Sequence, residues 1–201
     1  IPDLLDEVKW ELDFLKRMQD ATGTGGFVLK VGVDNYDSKA SPPSSDARPR
    51  YYVPECTSAT LAGASMFAAA GVVYRGVPAL SGYGNDLVVR AEAAWSRAQV
   101  TTNNFTSFET TCDDQDVKSG DADRAAADQL SDAVLAAIGL YEATGKSAYA
   151  SFVAAHYLET WPMSRNWWGP YEPPVQAGLL RHAAQAGVSP TVATAIRNQK
   201  A

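Results

Sequence analysis

Sulfur, histidine and surplus positive charge are all scarce in this chain, and each scarcity removes a class of function. The only cysteines among 201 residues are Cys56 and Cys112. They match no zinc spacing, and stand either as two buried thiols or as one disulfide of an exported protein. The two histidines, His156 and His182, fall inside helical patterns on apolar or mixed faces and read as structural. With 17 basic against 23 acidic residues the net charge is −6, so there is no basic footprint for nucleic acid or an anionic membrane. No apolar run approaches the roughly 18 residues of a membrane span; the longest, Leu61 to Tyr74, is glycine-interrupted. Ile1-Pro2-Asp3 carries no signal-peptide pattern, so any export signal is expected to be already absent. Gly23, Gly25 and Gly26 follow a helix and precede an extended piece, the reverse of a phosphate cradle.

Aromatic residues, by contrast, are plentiful: five Trp, nine Tyr and six Phe argue against disorder, and the length suits a single domain spanning 1–201. Leu5, Val8, Leu12 and Leu15 recur at helical spacing, which predicts a helix over 3–20. Further helices are expected at 57–74, 83–99, 124–144, 147–161, 175–186 and 189–199. Gly76, Gly145 and Gly187 stand where C-caps belong, and Ser81, Ser147 and Ser189 where helices start. Strand signals are nearly absent beyond an extended piece at 27–31. The loops fall at 21–56, 100–123 and 162–174, the first too long to be a mere connector.

A helix pair occurs twice, about 66 residues apart. Phe67-Ala-Ala-Ala-Gly-Val-Val-Tyr74 leads to Tyr83 and, 12 positions on, Trp95; Val134-Leu-Ala-Ala-Ile-Gly-Leu-Tyr141 leads to Tyr149 and, again 12 on, Trp161. Such a unit cannot bury its apolar face alone, so repetition implies stacked or circularly arranged hairpins. The fold class is therefore all-α.

Three segments resemble glycoside hydrolase family 9, the inverting cellulases. Pro2-Asp3-Leu4-Leu5-Asp6-Glu7-Val8-Lys9-Trp10, running on to Gln19, is similar to an early helix of that family. Pro49-Arg50-Tyr51-Tyr52-Val53-Pro54 with Thr57-Ser58-Ala59-Thr60 resembles the entry to the next helix, and Leu140-Tyr141-Glu142-Ala143-Thr144-Gly145 a hairpin corner. The resemblance implies helix hairpins forming part of an (α/α)6 toroid, secretion, and a β-linked polysaccharide or oligosaccharide as partner. A β-1,4-glucan or a glucosamine-containing relative would be hydrolysed with inversion. The family's Asp-Ala-Gly-Asp segment does not occur here, and its late acidic Glu lies beyond anything matched. The resemblance thus implies a central part of a catalytic domain with no acid/base pair of its own. The alternative is a non-catalytic helical module that binds glycan or protein. An incomplete ring would expose apolar helix faces, so self-association or marginal stability is expected unless flanking segments are present.

Candidate binding residues follow from chemistry and from the resemblance. Sugar rings offer flat C–H faces to aromatic planes while Arg, Asn and Glu take hydroxyls. That points to Trp167, Trp168 and Tyr171 in the segment opened by Trp161, although plain packing explains them as well. The fork of Arg50 serves either a substrate hydroxyl or a loop-pinning carboxylate. The family sometimes holds calcium with an Asp-Glu pair, matched here by Ser131 and Asp132. Asp132 is the best metal candidate, with Glu172 as a second ligand. The acidic run from Asp113 to Asp123 lacks a full calcium-loop pattern and reads as a solvated turn. Asn104-Phe105-Thr106 is a glycosylation triplet by pattern.

Overall fold

The structure, a computed structural model, describes residues 3–33, 42–99, 126–165, 168–170 and 173–200. Cys112, the acidic run 113–123, the triplet at Asn104, and Trp167, Tyr171 and Glu172 lie outside the described residues. Within them run eight α-helices: α1 (Asp3–Thr22), α2 (Thr57–Arg75), α3 (Ser81–Gln99), α4 (Ala126–Thr144), α5 (Ser147–His156), α6 (Trp161–Ser164), α7 (Pro173–Ala184) and α8 (Pro190–Lys200). The fold is all-α, helix hairpins arranged as part of an (α/α)6 toroid.

Helices α2 and α4 are the inner members. α2 is apolar nearly all round, and Thr57, Ser58, Thr60, Leu61, Gly63, Ala64, Phe67, Ala68, Gly71 and Tyr74 are buried. By length and composition alone α2 could cross a membrane, a match the sequence reading missed; its burial identifies a core helix instead. α2 packs on α3, its hairpin partner, and on α4; α4 packs in turn on α5 and α7, and α7 on α8.

Small residues allow the close approach. A Cβ at Gly84 would lie 2.6 Å from the backbone nitrogen of Arg75 and 2.8 Å from the Gly71 carbonyl oxygen. Gly139 meets Ala68 where α4 crosses α2. Ladders of this kind bring backbones together only where neither helix has side chains to hold them apart.

The two hairpins also share a polar contact. In the first, the Tyr83 hydroxyl on α3 donates to Asp13 of α1 at 2.9 Å; in the second, the Tyr149 hydroxyl on α5 donates to Glu92 of α3 at 2.9 Å. Lysine accompanies each carboxylate, Lys9 on Asp13 and Lys146 on Glu92. Both phenols are held well above the usual tyrosine range, by burial first and then by the bonded carboxylate. The 66-residue spacing of Tyr83 and Tyr149 in sequence is therefore matched by the same contact in space.

Elsewhere the structure amends the expected boundaries. The helix expected over 147–161 stops at His156, passes through a 3-10 turn at Tyr157–Glu159 and restarts at Trp161. Pro162 is the cause: deep in a helix it would forfeit a backbone bond and crowd the carbonyl four residues back, so it occupies a first turn instead. Gly145 (φ 68°) and Gly187 (φ 83°) are left-handed as caps require, whereas Gly76 (φ −69°) is not. A 3-10 turn at Pro78–Leu80 leads straight into α3. The extended piece gains a partner: β1 (Val31–Gly32) pairs antiparallel with β2 (Tyr51–Tyr52), and Val28 bridges Glu55.

Two outcomes are expected from this packing. Gly84→Val should lower the urea midpoint by the equivalent of roughly 1–3 kcal/mol, since backbone rather than a flexible side chain blocks the new atoms. His182, buried on α7 and donating its Nδ1–H to Gln185 Oε1 at 3.1 Å, is held below the ordinary imidazole pKa by burial, which the Gln185 bond only partly opposes. The unfolded chain therefore takes up the proton first, and stability should fall as pH drops below about 6.5. Comparing melts at pH 8 and pH 5.5, the difference should be smaller in His182→Leu than in the parent.

Candidate functional site

The stretches 27–33 and 50–56 fold back on α1 and frame a groove. Phe27 anchors it: the ring is buried, packs edge-to-face on Phe67 at 5.4 Å, and fills the space that Gly63 leaves on α2. Backbone bonds from Leu29 to Pro54 (3.1 Å) and from Val53 to Lys30 (3.0 Å) then hold the two extended stretches side by side. Between them and the C-terminal half of α1 lies an open groove of about 560 Å³. Phe14, Met18, Val28, Val31 and Pro54 give it an apolar lining, while Arg50, Tyr51, Tyr52, Thr22 and Glu55 supply the polar groups. Tyr52 is 72% exposed and Tyr51 45%, a large solvent-facing aromatic surface for two adjacent residues.

Electrostatics fix the groove's walls. Asp46 receives Arg48 through Nε at 2.7 Å and Nη2 at 2.6 Å, and Arg50 through Nη2 at 3.2 Å. Chiefly through the Arg48 hydrogen bonds, its carboxyl is held well below the usual range. Arg50 thus pins the loop, one of the two roles its sequence context left open, and its exposed flank also lines the groove. Further along the same stretch, Glu55 takes both Nε and Nη2 of Arg97 from α3 and the Thr24 hydroxyl. A Cβ on Gly26 would sit 2.2 Å from that carboxylate, so a larger residue there would displace the Glu55 side chain.

The later aromatic segment is less completely described. Trp161 opens α6, and its backbone N–H donates to Ser131 Oγ at 3.1 Å. The Arg165 guanidinium lies over its ring at 4.7 Å. Trp168 is half-buried against the core, and its buried indole N–H has no acceptor among the described residues. Buried tryptophan donors are normally satisfied, so this one stands out among the described residues as a polar handle. Gln176 of α7 fixes the neighbouring Gly169 carbonyl at 2.6 Å.

Asp132 is half-buried on α4, next to Ser131. Among the described residues, no group of three or more His, Cys, Asp or Glu side chains stands close enough to hold a metal ion. Cys56 is buried with Sγ 3.3 Å from the Ser58 hydroxyl. His156 contacts Glu159 at 2.9 Å, and His182 packs on Tyr141, both in structural settings.

Of the residues singled out from sequence, the structure places Arg50 in the groove, and Trp168 and Asp132 apart from it. Sequence reasoning overlooked Tyr51, Tyr52, Phe14 and Met18. The pair of tyrosines beside Arg50 was the available signal. Chemically, the groove offers aromatic faces and a guanidinium edge, suited to a flat polyhydroxylated ring. Glu55 is the groove's sole lining carboxylate among the described residues, and Arg97 and Thr24 engage it.

Comparison with known proteins bears on this arrangement. The family model described as glycosyl hydrolase family 9 matches residues 1–200. A cellulose 1,4-beta-cellobiosidase of Acetivibrio thermocellus is 28% identical over 170 residues, covering 79% of this chain and 18% of that protein. Endoglucanase D of the same organism is 35% identical over 75 residues, 37% of this chain and 12% of its own. Among solved structures, a metagenome-derived glycoside hydrolase family 9 endoglucanase superimposes with a TM-score of 0.73 at 23% identity, covering 99% of this chain and 34% of that one. A Bacteroides ovatus protein of the same family gives 0.60 at 21% identity, covering 92% and 37%. The chain thus spans 18% of the cellobiosidase and about a third of the solved endoglucanase.

The wall formed by Glu55 is open to test. Glu55→Ala removes a carboxylate that takes two hydrogen bonds from the Arg97 guanidinium, whose side chain is only 19% exposed. A loss of roughly 1–3 kcal/mol in stability is expected, read as a lowered denaturant midpoint.

Proposed function

The chain belongs to glycosyl hydrolase family 9, and on that footing we propose that it forms part of the catalytic domain of a secreted β-glycan hydrolase cleaving β-1,4 bonds with inversion. The match over residues 1–200 carries this reading. The names of the relatives, a cellobiosidase and endoglucanases, support a β-1,4-glucan as substrate class. In the proposal this chain supplies subsites, and the acid and base come from outside its 201 residues. Tyr51 and Tyr52 present ring faces for sugar C–H surfaces, and Arg50, already oriented by Asp46, reaches hydroxyls. The unsatisfied N–H of Trp168 suits a second contact, with Trp167 and Tyr171 as its expected neighbours. Calcium enters with one described ligand only, Asp132, and Glu172 as its expected companion; no step of the reaction is routed through it.

A second reading, a non-catalytic glycan-binding module, draws on one observation. Ser131 occupies the position where the resemblance implies an acidic residue, and its hydroxyl accepts the Trp161 N–H as a helix brace.

Calorimetric titration with cellohexaose distinguishes these ideas from no glycan role at all. Binding is expected, and Tyr52→Ala and Arg50→Ala should each weaken it about five- to tenfold, or roughly 1 kcal/mol. The chain alone should release no reducing ends. Release would place the acid and base within it, and absence of binding would remove both readings of the groove.

A further inference from the structure

Two charged side chains line the groove, Arg50 and Glu55, and their pairing is unequal. Glu55 is engaged on all sides. It takes Nε and Nη2 of Arg97 and the Thr24 hydroxyl, and its side chain is only 17% exposed. Its charge is cancelled where it stands.

Arg50 is placed differently. Arg48 has first claim on Asp46, the carboxylate that Arg50 faces. Its Nε and Nη2 reach one oxygen each, at 2.7 and 2.6 Å, and its backbone N–H adds a third bond at 3.1 Å. Arg50 approaches the second of those oxygens at 3.2 Å, and its Nη1 donates to the Arg48 carbonyl at 2.8 Å. A bidentate guanidinium outcompetes a single longer contact for the same lone pairs. Asp46 therefore orients Arg50 but screens its charge only in part. The Arg50 side chain is 48% exposed, against 27% for Arg48, and it is the one that turns to the groove.

We propose that this groove takes an acidic sugar: a β-linked glycan whose carboxylate, as in a uronosyl unit, sits on Arg50 while its ring lies on Tyr51 or Tyr52. The inference rests on the glycan reading of the groove and names the class of sugar. Hydroxyls of a neutral ring accept hydrogen bonds from Arg50 but leave its charge uncompensated. A carboxylate supplies the counterion that Arg48 has taken, and a charge-assisted pair is roughly twice as strong as a neutral bond. An amino sugar fits worst. Its ammonium would meet Arg50, and the sole lining carboxylate among the described residues is held by Arg97. The chain as a whole does not attract anions, since a net charge of −6 repels them at long range. A preference for an acidic sugar has to come from the groove.

Matched β-1,4-linked hexamers of glucose, glucuronic acid and glucosamine, each titrated calorimetrically into the 201-residue chain, test this. The glucuronate hexamer should bind about tenfold more tightly than cellohexaose in 50 mM salt, and the glucosamine hexamer more weakly than either. In 500 mM salt the preference should shrink to about threefold, because the guanidinium is half-exposed. Arg50→Gln keeps an N–H donor and removes the charge, so it should bring the glucuronate and glucose hexamers within about twofold of each other. Arg181→Gln on α7 changes the net charge equally and should leave the preference in place. Cellohexaose binding as tightly as the glucuronate hexamer, tightest binding of the glucosamine hexamer, or a preference that survives Arg50→Gln overturns the proposal and leaves the glycan reading standing. Binding of none of the three removes the glycan reading itself, and this inference with it.

Discussion

The contact of α2 with α3 through Gly71 and Gly84 is the constraint from which the remaining geometry follows. With no side chain between them, the two backbones meet directly, and the hairpin has a fixed separation. α2 then has one face left for α4, where Ala68 and Gly139 repeat the small-residue solution. The bulky groups are displaced to the ends and sides: Phe67 meets Phe27 at one level, and Tyr74 stacks edge-to-face on Tyr83 at 5.1 Å at another. The groove inherits its position from this arrangement, because Phe27 is where the stretch 27–33 is fastened to the inner helix. Interiors packed to crystal density transmit such constraints over several residues.

Polar contacts occupy the seams that apolar packing leaves open. Gln19 is a buried amide that donates to the carbonyls of Gly25 and Arg90 and accepts from the Arg90 guanidinium, so it ties the end of α1, the start of the loop and α3 at one point. Most of the ion pairs beside it are exposed and individually worth only about 0.2–1 kcal/mol. Their role is register: they decide which turn of α1 lies against which turn of α3.

Much of this was legible in the sequence where aromatic and small residues mark equivalent positions. Tyr83 and Tyr149 identified the repeated hairpin because an aromatic on an outer helix has to be satisfied in the same manner each time. Family membership was legible from three ordered segments. The groove was harder to see. Two-residue strands are too short to show alternation, and their pairing joins positions some twenty residues apart. Arg50 stood out by chemistry, whereas Tyr51 and Tyr52 gave no sign of exposure, which depends on what fails to cover them. The break after His156 was readable in principle from Pro162, but the apolar periodicity running through 149–161 masked it. Trp167, Tyr171 and Glu172 lie outside the described residues, so their assignment stays with sequence chemistry.

The tyrosine–carboxylate contact also has a direction. Tyr83 reaches back to α1 and Tyr149 reaches back to α3; each hairpin is fastened to the outer helix made before it. A polypeptide leaving the ribosome N-terminus first therefore always finds its docking site already synthesised. Along the described chain, the order of translation is thus also the order in which each hairpin's partner helix becomes available.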